Sequence, residues 1–340
     1  MQMPSLGKVS RETFDTVILP NLGASSGSIV VPPQHGVDCG VVKFGKKYLV
    51  IESDPVYVAK ELGMKNAAWF AIHILASDVA VMGAKPTYLS IDLNLPLEMT
   101  ANEFKKMWKA MSSECKKLEV SIVAGHTAKY PGCNFPMIGG ATMIGVADRY
   151  ITPGMAKPGD SVIITKGAAI EATGLLASFF YDGVKERVGK QTADKARELT
   201  WKMSVVEDAL TAFKVEGVHA MHDATECGVY GALFEIANAS RVGIEIEKNK
   251  IPVPQEVEAV CDVFKIDPYV SISEGTLIIC AKELNAEAIM RALKKKKIVC
   301  AEIGRVTKKK GVVLREGGKT KPIMCPRVDP FWTACAGIPE

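Results

Sequence analysis

The chain has 340 residues, 48% of them hydrophobic and 24% charged, with a formal net charge of +4. That profile excludes an intrinsically disordered chain, and so small a charge gives no support to a nucleic-acid or membrane-surface role. The length implies two domains, which we place at 1–150 and 151–340.

In chain order, residues 1–8 hold no apolar run of the kind a secretory signal needs. Nine cysteines without a C-x-x-C pair or zinc-type Cys/His spacing read as reduced thiols, which points to a cytoplasmic protein. Residues 1–36, rich in Gly, Ser and Pro, read as a loop or mobile arm. Strands are expected at 37–44 and 48–53, joined by G-K-K as a hairpin. A long helix follows over 58–82. Its apolar run, 67–84, is interrupted by His73 and Asp78 and reads as a buried helix, not a membrane span. After a strand at 88–93 comes the clearest helix, 100–118. Thr100 and Glu103 form a capping box, and Phe104, Met107, Trp108, Met111, Cys115 and Leu118 define its buried face. Strands at 120–124, running into G-H-T, and at 139–148 complete the first half.

Prolines and glycines at 152–159 mark a boundary. Beyond it we expect a strand at 160–165, a helix at 171–181, a charged stretch at 185–197 and a helix at 204–215. A strand at 218–221 and a helix at 228–240 follow. Strands at 243–246, 276–280 and 301–306 then flank a helix over 285–296. Mixed strands and helices in both halves give two α+β or α/β domains.

Three aspartates stand where an apolar core would not choose them: Asp38 in V-D-C-G-V-V, Asp54 in V-I-E-S-D-P, and Asp78 in S-D-V-A-V-M-G-A-K-P. A buried carboxylate costs several kcal/mol unless it is paired, hydrogen-bonded or on a metal. Three of them imply one shared cation, and Mg2+ carrying a polyphosphate fits, because Mg2+ combines one or two carboxylates with phosphate oxygens. A-G-H-T-A-K-Y places Gly125, His126, Thr127 and Lys129 directly after a strand, where they supply a proton carrier, a hydroxyl and an ammonium, or simply a turn. M-H-D-A-T-E-C-G repeats that grammar with His222 and Asp223 ahead of a helix that binds an anion or is merely capped. Lys166 follows a strand without a Walker A or Rossmann glycine pattern, and Glu274 sits in the S-E-G turn. The basic runs 294–297 and 308–310 lack the interleaved aromatics of a nucleic-acid platform.

The order V-D-C-G-V-V, E-S-D-P, S-D-V-A-V-M-G-A-K-P, A-G-H-T, G-D-S-V-I-I-T-K-G, H-D-A-T-E-C-G-V-Y-G-A-L, S-E-G, A-E-I-G-R-V resembles the PurM-like (AIR synthase-related) superfamily along nearly the whole chain, and its HypE-like branch most. The resemblance implies a two-domain PurM-like fold. Its N-terminal domain shares a β-barrel with that of a second subunit, and its C-terminal domain is α/β with a mixed sheet. It implies ATP in a cleft near the dimer interface, with the Gly-rich N-terminal segment closing over it, and Asp38, Asp54 and Asp78 holding Mg2+ and phosphates. Gly125, Thr127, Lys166 and Glu274 would help hold the nucleotide, while His126, Lys129, His222 and Asp223 would line the substrate side. The implied activity is ATP-dependent phosphorylation or activation of an oxygen in a small molecule or carboxamide, within a homodimer that docks a maturation-protein partner. A thiamine-monophosphate-kinase-like enzyme and a non-catalytic nucleotide-binding scaffold are the alternatives. Two departures stand out. His126 replaces an acid, and Cys335 lies before the end of the chain, whereas a HypE protein ends in a cysteine that accepts a carbamoyl group.

Overall fold

Alternating burial builds the first half into a one-sided sheet. In β4 (Lys85–Leu95) Leu89, Ile91, Leu93 and Leu95 are buried while Tyr88 and Asp92 are exposed. The structure, a computed structural model, describes residues 9–324 and 328–339. The expectation for residues 1–8 lies outside the described residues. The sheet contains β1 (Ile29–Val31), β2 (Gly40–Phe44), β3 (Lys47–Tyr57), β4, β5 (Ser121–Lys129) and β6 (Met137–Ala147), in the order β1-β2-β3-β6-β4-β5. Only the β4–β5 pair is parallel.

Two helices cover the inner face, α2 (Gly63–Val81) and α3 (Ala101–Lys117). The α3 capping box forms as its sequence demands: Thr100 Oγ1 accepts the Glu103 N–H at 3.2 Å, and Glu103 Oε2 accepts the Thr100 N–H at 2.8 Å. Buried almost all round, α2 packs on the sheet, on α3 and on elements of the second half. It stops at Gly83, whose φ is +77° and where a Cβ would lie 2.5 Å from the Phe213 ring.

The remaining helices are α1 (Arg11–Thr13), α4 (Ile170–Phe179), α5 (Tyr181–Val188), α6 (Lys190–Glu198), α7 (Val206–Phe213), α8 (Gly228–Ser240), α9 (Gln255–Phe264), α10 (Glu283–Lys295) and α11 (Pro330–Ala334). The second sheet contains β7 (Asp160–Thr165), β8 (Val218–Asp223), β9 (Gly243–Glu247), β10 (Leu277–Lys282), β11 (Cys300–Thr307), β12 (Gly311–Glu316) and β13 (Lys319–Pro322). Their order is β13-β12-β9-β11-β7-β10-β8, with β9–β12 parallel. Both faces are covered. Val162, Ile164, Ile278 and Cys280 pack with Val229, Leu233 and Ile236 of α8, while Ile163 and Ile279 pack with Ile289 and Leu293 of α10 on the other side.

Three expectations need correction. The arm 1–36 is not all loop: Ser10 caps α1, the chain continues helically through Phe14–Ile18 and Leu19–Asn21, and Ile29–Val31 pairs with β2. The strand expected to end at Ala124 runs on to Lys129, because parallel pairing to β4 holds residues 125–129 extended. Likewise β8 includes His222 and Asp223, which pair with Ile278 and Leu277 instead of following the strand. Besides α1 and β1, unanticipated elements are α5 and α6, over the charged stretch, and α9, α11, β12 and β13.

Candidate functional site

The two halves meet at a group of acids delivered by several elements. β3 brings Glu52 and Asp54, two apart and so on one face of the strand; α2 brings Asp78; the segment before β2 brings Asp38. The end of β8 brings His222 and Asp223, the turn before β10 brings Glu274, and the first turn of α4 brings Glu171. Ser77 Oγ accepts the Val205 N–H at 3.1 Å and so ties α2 to the second half.

The acids fall into two neighbouring groups. Ligand atoms of Glu52, Asp54 and Asp78 lie within 4.8 Å of one another, and so do those of Asp38, His222 and Asp223. Asp38, expected beside Asp54 and Asp78, also lies with His222 and Asp223, because the segment before β2 runs against the end of β8. The groups still feel each other. Burial first, then the charges of Asp223, Asp38, Glu52 and Glu274, push the Asp78 carboxyl well above the usual carboxylate range. Glu274 is pushed up by burial and by Asp223 and Glu171. Glu171 is pushed up to about 8, chiefly by burial, although Oε2 accepts the Glu274 N–H at 3.0 Å. Neither oxygen of Asp223, which is 0% exposed, makes a hydrogen bond.

His222 is 1% exposed. Its Nε2 lies 2.7 Å from Glu235 Oε2, and its Nδ1 lies 3.7 Å from Asp38 and 3.6 Å from Asp223. Burial would lower this imidazole, but Asp223, Glu235 and Asp38 override it and hold the group well above the ordinary histidine range. Cys39 donates its S–H to the Asp78 carbonyl at 3.2 Å, and burial, ahead of Asp78 and its acidic neighbours, raises the thiol.

Beside Asp54 opens a cavity of about 960 Å3, walled by Tyr57, Phe70, Phe135, Phe179, Phe331 and Trp332 and also lined by Glu171, Glu226 and Cys335. The α11 wall is pinned by Asp329, which accepts the Phe331 N–H at 2.8 Å and the Cys227 N–H at 2.6 Å. Burial, ahead of Glu171 and Asp329, pushes the Cys335 thiol up to about 11.

Other sequence-selected residues stand apart. Gly125 aligns across β4 and β6 with Asp54, three strand spacings or roughly 14 Å away. His126 bonds Tyr130 at 2.9 Å on an exposed edge, Thr127 lies in the same strand, and Lys129 donates to the carbonyls of Leu97 and Met99. Within one chain these four do not join the acids. The Lys166 ammonium donates to Asp208 at 2.7 Å and to the carbonyls of Ser204 and Gly275, which uses its three protons. It braces the second half and leaves no proton for a phosphate. Sequence reasoning passed over Glu52, Glu171 and Glu235. Glu52 was readable from its two-residue spacing to Asp54, and Glu235 as the lone acid within apolar α8; nothing local marks Glu171.

With this geometry in view, the comparisons with known proteins are direct. The AIR synthase related protein N-terminal domain matches residues 36–147, and the C-terminal domain matches 157–316. The chain belongs to the AIR synthase-related family. A Methanocaldococcus jannaschii protein described as a putative hydrogenase expression/formation protein is 28% identical over 97% of each chain. Carbamoyl dehydratase HypE of Escherichia coli is 27% identical over 79% of each chain. A crystal structure of E. coli HypE has the same fold, with TM-score 0.71, 26% identity, and 83% of this chain and 87% of that one covered. A HypE structure in complex with ATP shares the fold at TM-score 0.68 and 20% identity, covering 94% and 93%. The two-domain PurM-like fold with mixed sheets and the HypE-like branch are therefore shown. Among the described residues no helix is long and apolar enough to cross a membrane.

Proposed function

We propose that this chain is an ATP- and Mg2+-dependent enzyme of the HypE-like branch that phosphorylates or activates an oxygen of a small molecule or carboxamide. The observation that carries the reading is the buried acid group at the domain junction, where Asp78 and Glu274 are raised and Asp223 has no hydrogen bond. Carboxylates so placed call for a hard cation. Asp54 and Asp78, with Glu52 and Asp38, would hold Mg2+. That ion, when bound, neutralises polyphosphate charge, which with positioning is most of what phosphoryl transfer asks of a protein.

The chain's own groups complete the chemistry. Asp54 is exposed at the cavity and meets an incoming ligand first. Glu171, pushed up to about 8, keeps its proton at neutral pH and can donate to a carbonyl or amide oxygen of the acceptor. The aromatic wall lines the cavity beside which that oxygen would lie. The name of the carbamoyl dehydratase relative favours a carboxamide-type acceptor.

The proposed homodimer uses β5, the outer edge of the first sheet, exposed along most of its length. A second copy there is the only route by which His126 and Lys129 would reach a site, and a maturation-protein partner would dock on the assembled dimer. Calorimetry with a non-hydrolysable ATP analogue, beside an ADP-release assay, tests the whole reading. Asp54→Asn, at an exposed position, and Asp78→Asn should each lose Mg2+-dependent binding; unchanged affinity in both would overturn it, and binding without turnover on any acceptor would leave a scaffold.

A further inference from the structure

The Lys166 side chain is 13% exposed, and its ammonium lies where two backbone segments of the second half converge. Its protons go to the Asp208 carboxylate at 2.7 Å, the Ser204 carbonyl at 2.9 Å and the Gly275 carbonyl at 2.7 Å. Each carbonyl belongs to a segment that carries or clasps an acid of the junction. Gly275 follows Glu274 in the turn before β10. Its φ is +99°, and a Cβ there would lie 2.2 Å from the Lys202 carbonyl, so the turn rests directly on the 202–205 backbone. Ser204 precedes Val205, whose N–H donates to Ser77 Oγ, beside Asp78 on α2. Ser77 also hydrogen-bonds the Glu274 carboxylate. Ser204 Oγ bonds His73, one turn earlier on α2, at 2.8 Å. One ammonium thus ties the turn of Glu274 to the clasp beside Asp78. Lys166 holds that place in a strained backbone: its φ is +59°, a left-handed conformation uncommon outside glycine.

We propose that Lys166 is a positioning residue: its ammonium fixes the spacing between Asp78 and Glu274 across the junction of the two halves, and so sets the shape of the site that receives the nucleotide. It acts through the backbone of Ser204 and Gly275 and touches no ligand itself. The choice of lysine follows from the geometry. Three acceptors gathered round one nitrogen suit a compact ammonium, whereas a planar guanidinium presents its donors as a fork. The inference rests on the proposed function only in taking these acids as the nucleotide's site; the tie between turn and clasp stands without it.

The test compares Lys166→Arg with the wild-type full chain. Arginine keeps the positive charge that buried Asp208 requires, so the unfolding midpoint should stay close to wild type. Affinity for a non-hydrolysable ATP analogue in Mg2+, read by calorimetry, should nevertheless fall about 10–100-fold, the usual cost of losing a residue that orients ligands. Amide hydrogen exchange in a peptide covering 202–206, read by mass spectrometry, should quicken in the same variant. Should arginine not fit, Ser77→Ala opens the other end of the clasp without a change of charge and should show the same two effects. Wild-type affinity beside quickened exchange would overturn the positioning role and leave Lys166 a brace within the second half. A fall in affinity matched by a fall in midpoint, or unaltered exchange, would overturn it as well. Failure of the wild-type chain to bind the analogue would overturn the proposed function instead, and quickened exchange in the variant would still support the tie between turn and clasp.

Discussion

His126 and His222 look alike in sequence, each beside a short polar run near the end of a strand, yet the fold gives them opposite surroundings. Both strands are sheet edges, β5 in the first sheet and β8 in the second. β5 is left open, and His126 bonds only a neighbouring tyrosine at its surface. β8 is covered by α2 from the first half and by α8, so His222 is 1% exposed and faced by three carboxylates. A polar motif acquires chemistry from what packs over it, because burial removes the water that would otherwise satisfy its charges.

The largest effect that bears on this contrast is expected from Asp78→Asn. Nucleotide affinity in Mg2+ should fall by more than the 10–100-fold that loss of a supporting residue costs. Calorimetry reads it, and circular dichroism checks that the fold survives. Next, Mg2+ should raise the thermal unfolding midpoint of the wild-type chain, because it binds only the folded acids. The gain is about 2.7 kcal/mol at a hundred times Kd, and Asp54→Asn should reduce it.

A third histidine sharpens the comparison. His73 is buried, stacked on Trp69 at 4.1 Å and bonded to Ser204 at 2.8 Å, and burial lowers it to about 4 despite Glu114. Its folded value lies below the unfolded 6.5. The unfolded chain therefore takes up the proton first, and the stability is complete above about 6.5 and lost as pH falls toward 4. His73→Phe should flatten the fall in unfolding midpoint across that window. The smallest effect belongs to His126→Ala, which should change nucleotide affinity by less than twofold. A large loss there would show that β5 reaches a site through a second copy.

Much of this was legible in the sequence where local chemistry decides the outcome. The Thr100–Glu103 box is settled within one helical turn, and α8 runs over the residues its pattern assigns. Asp78 was visible because a single acid inside a long apolar run must be met by a partner or an ion once the helix is buried. The reach of β5 to Lys129 was not, since an exposed edge strand has no buried face to impose alternation and G-H-T imitates a turn. The division of the acids was hidden by distance along the chain. Asp38 meets His222 and Asp223 only after the two halves pack, and no local spacing records that contact. Lys166 looked like a phosphate ligand until Asp208 and two carbonyls were seen to take its protons.

The most direct test is a crystal soaked with Mn2+ and a non-hydrolysable ATP analogue, with anomalous data locating the metal. Peaks are expected against the acids of the domain junction, Asp54 and Asp78 among them, with the analogue's terminal phosphate facing them. Analogue density away from the domain junction, or metal bound on β5 with none at these acids, would contradict the assignment.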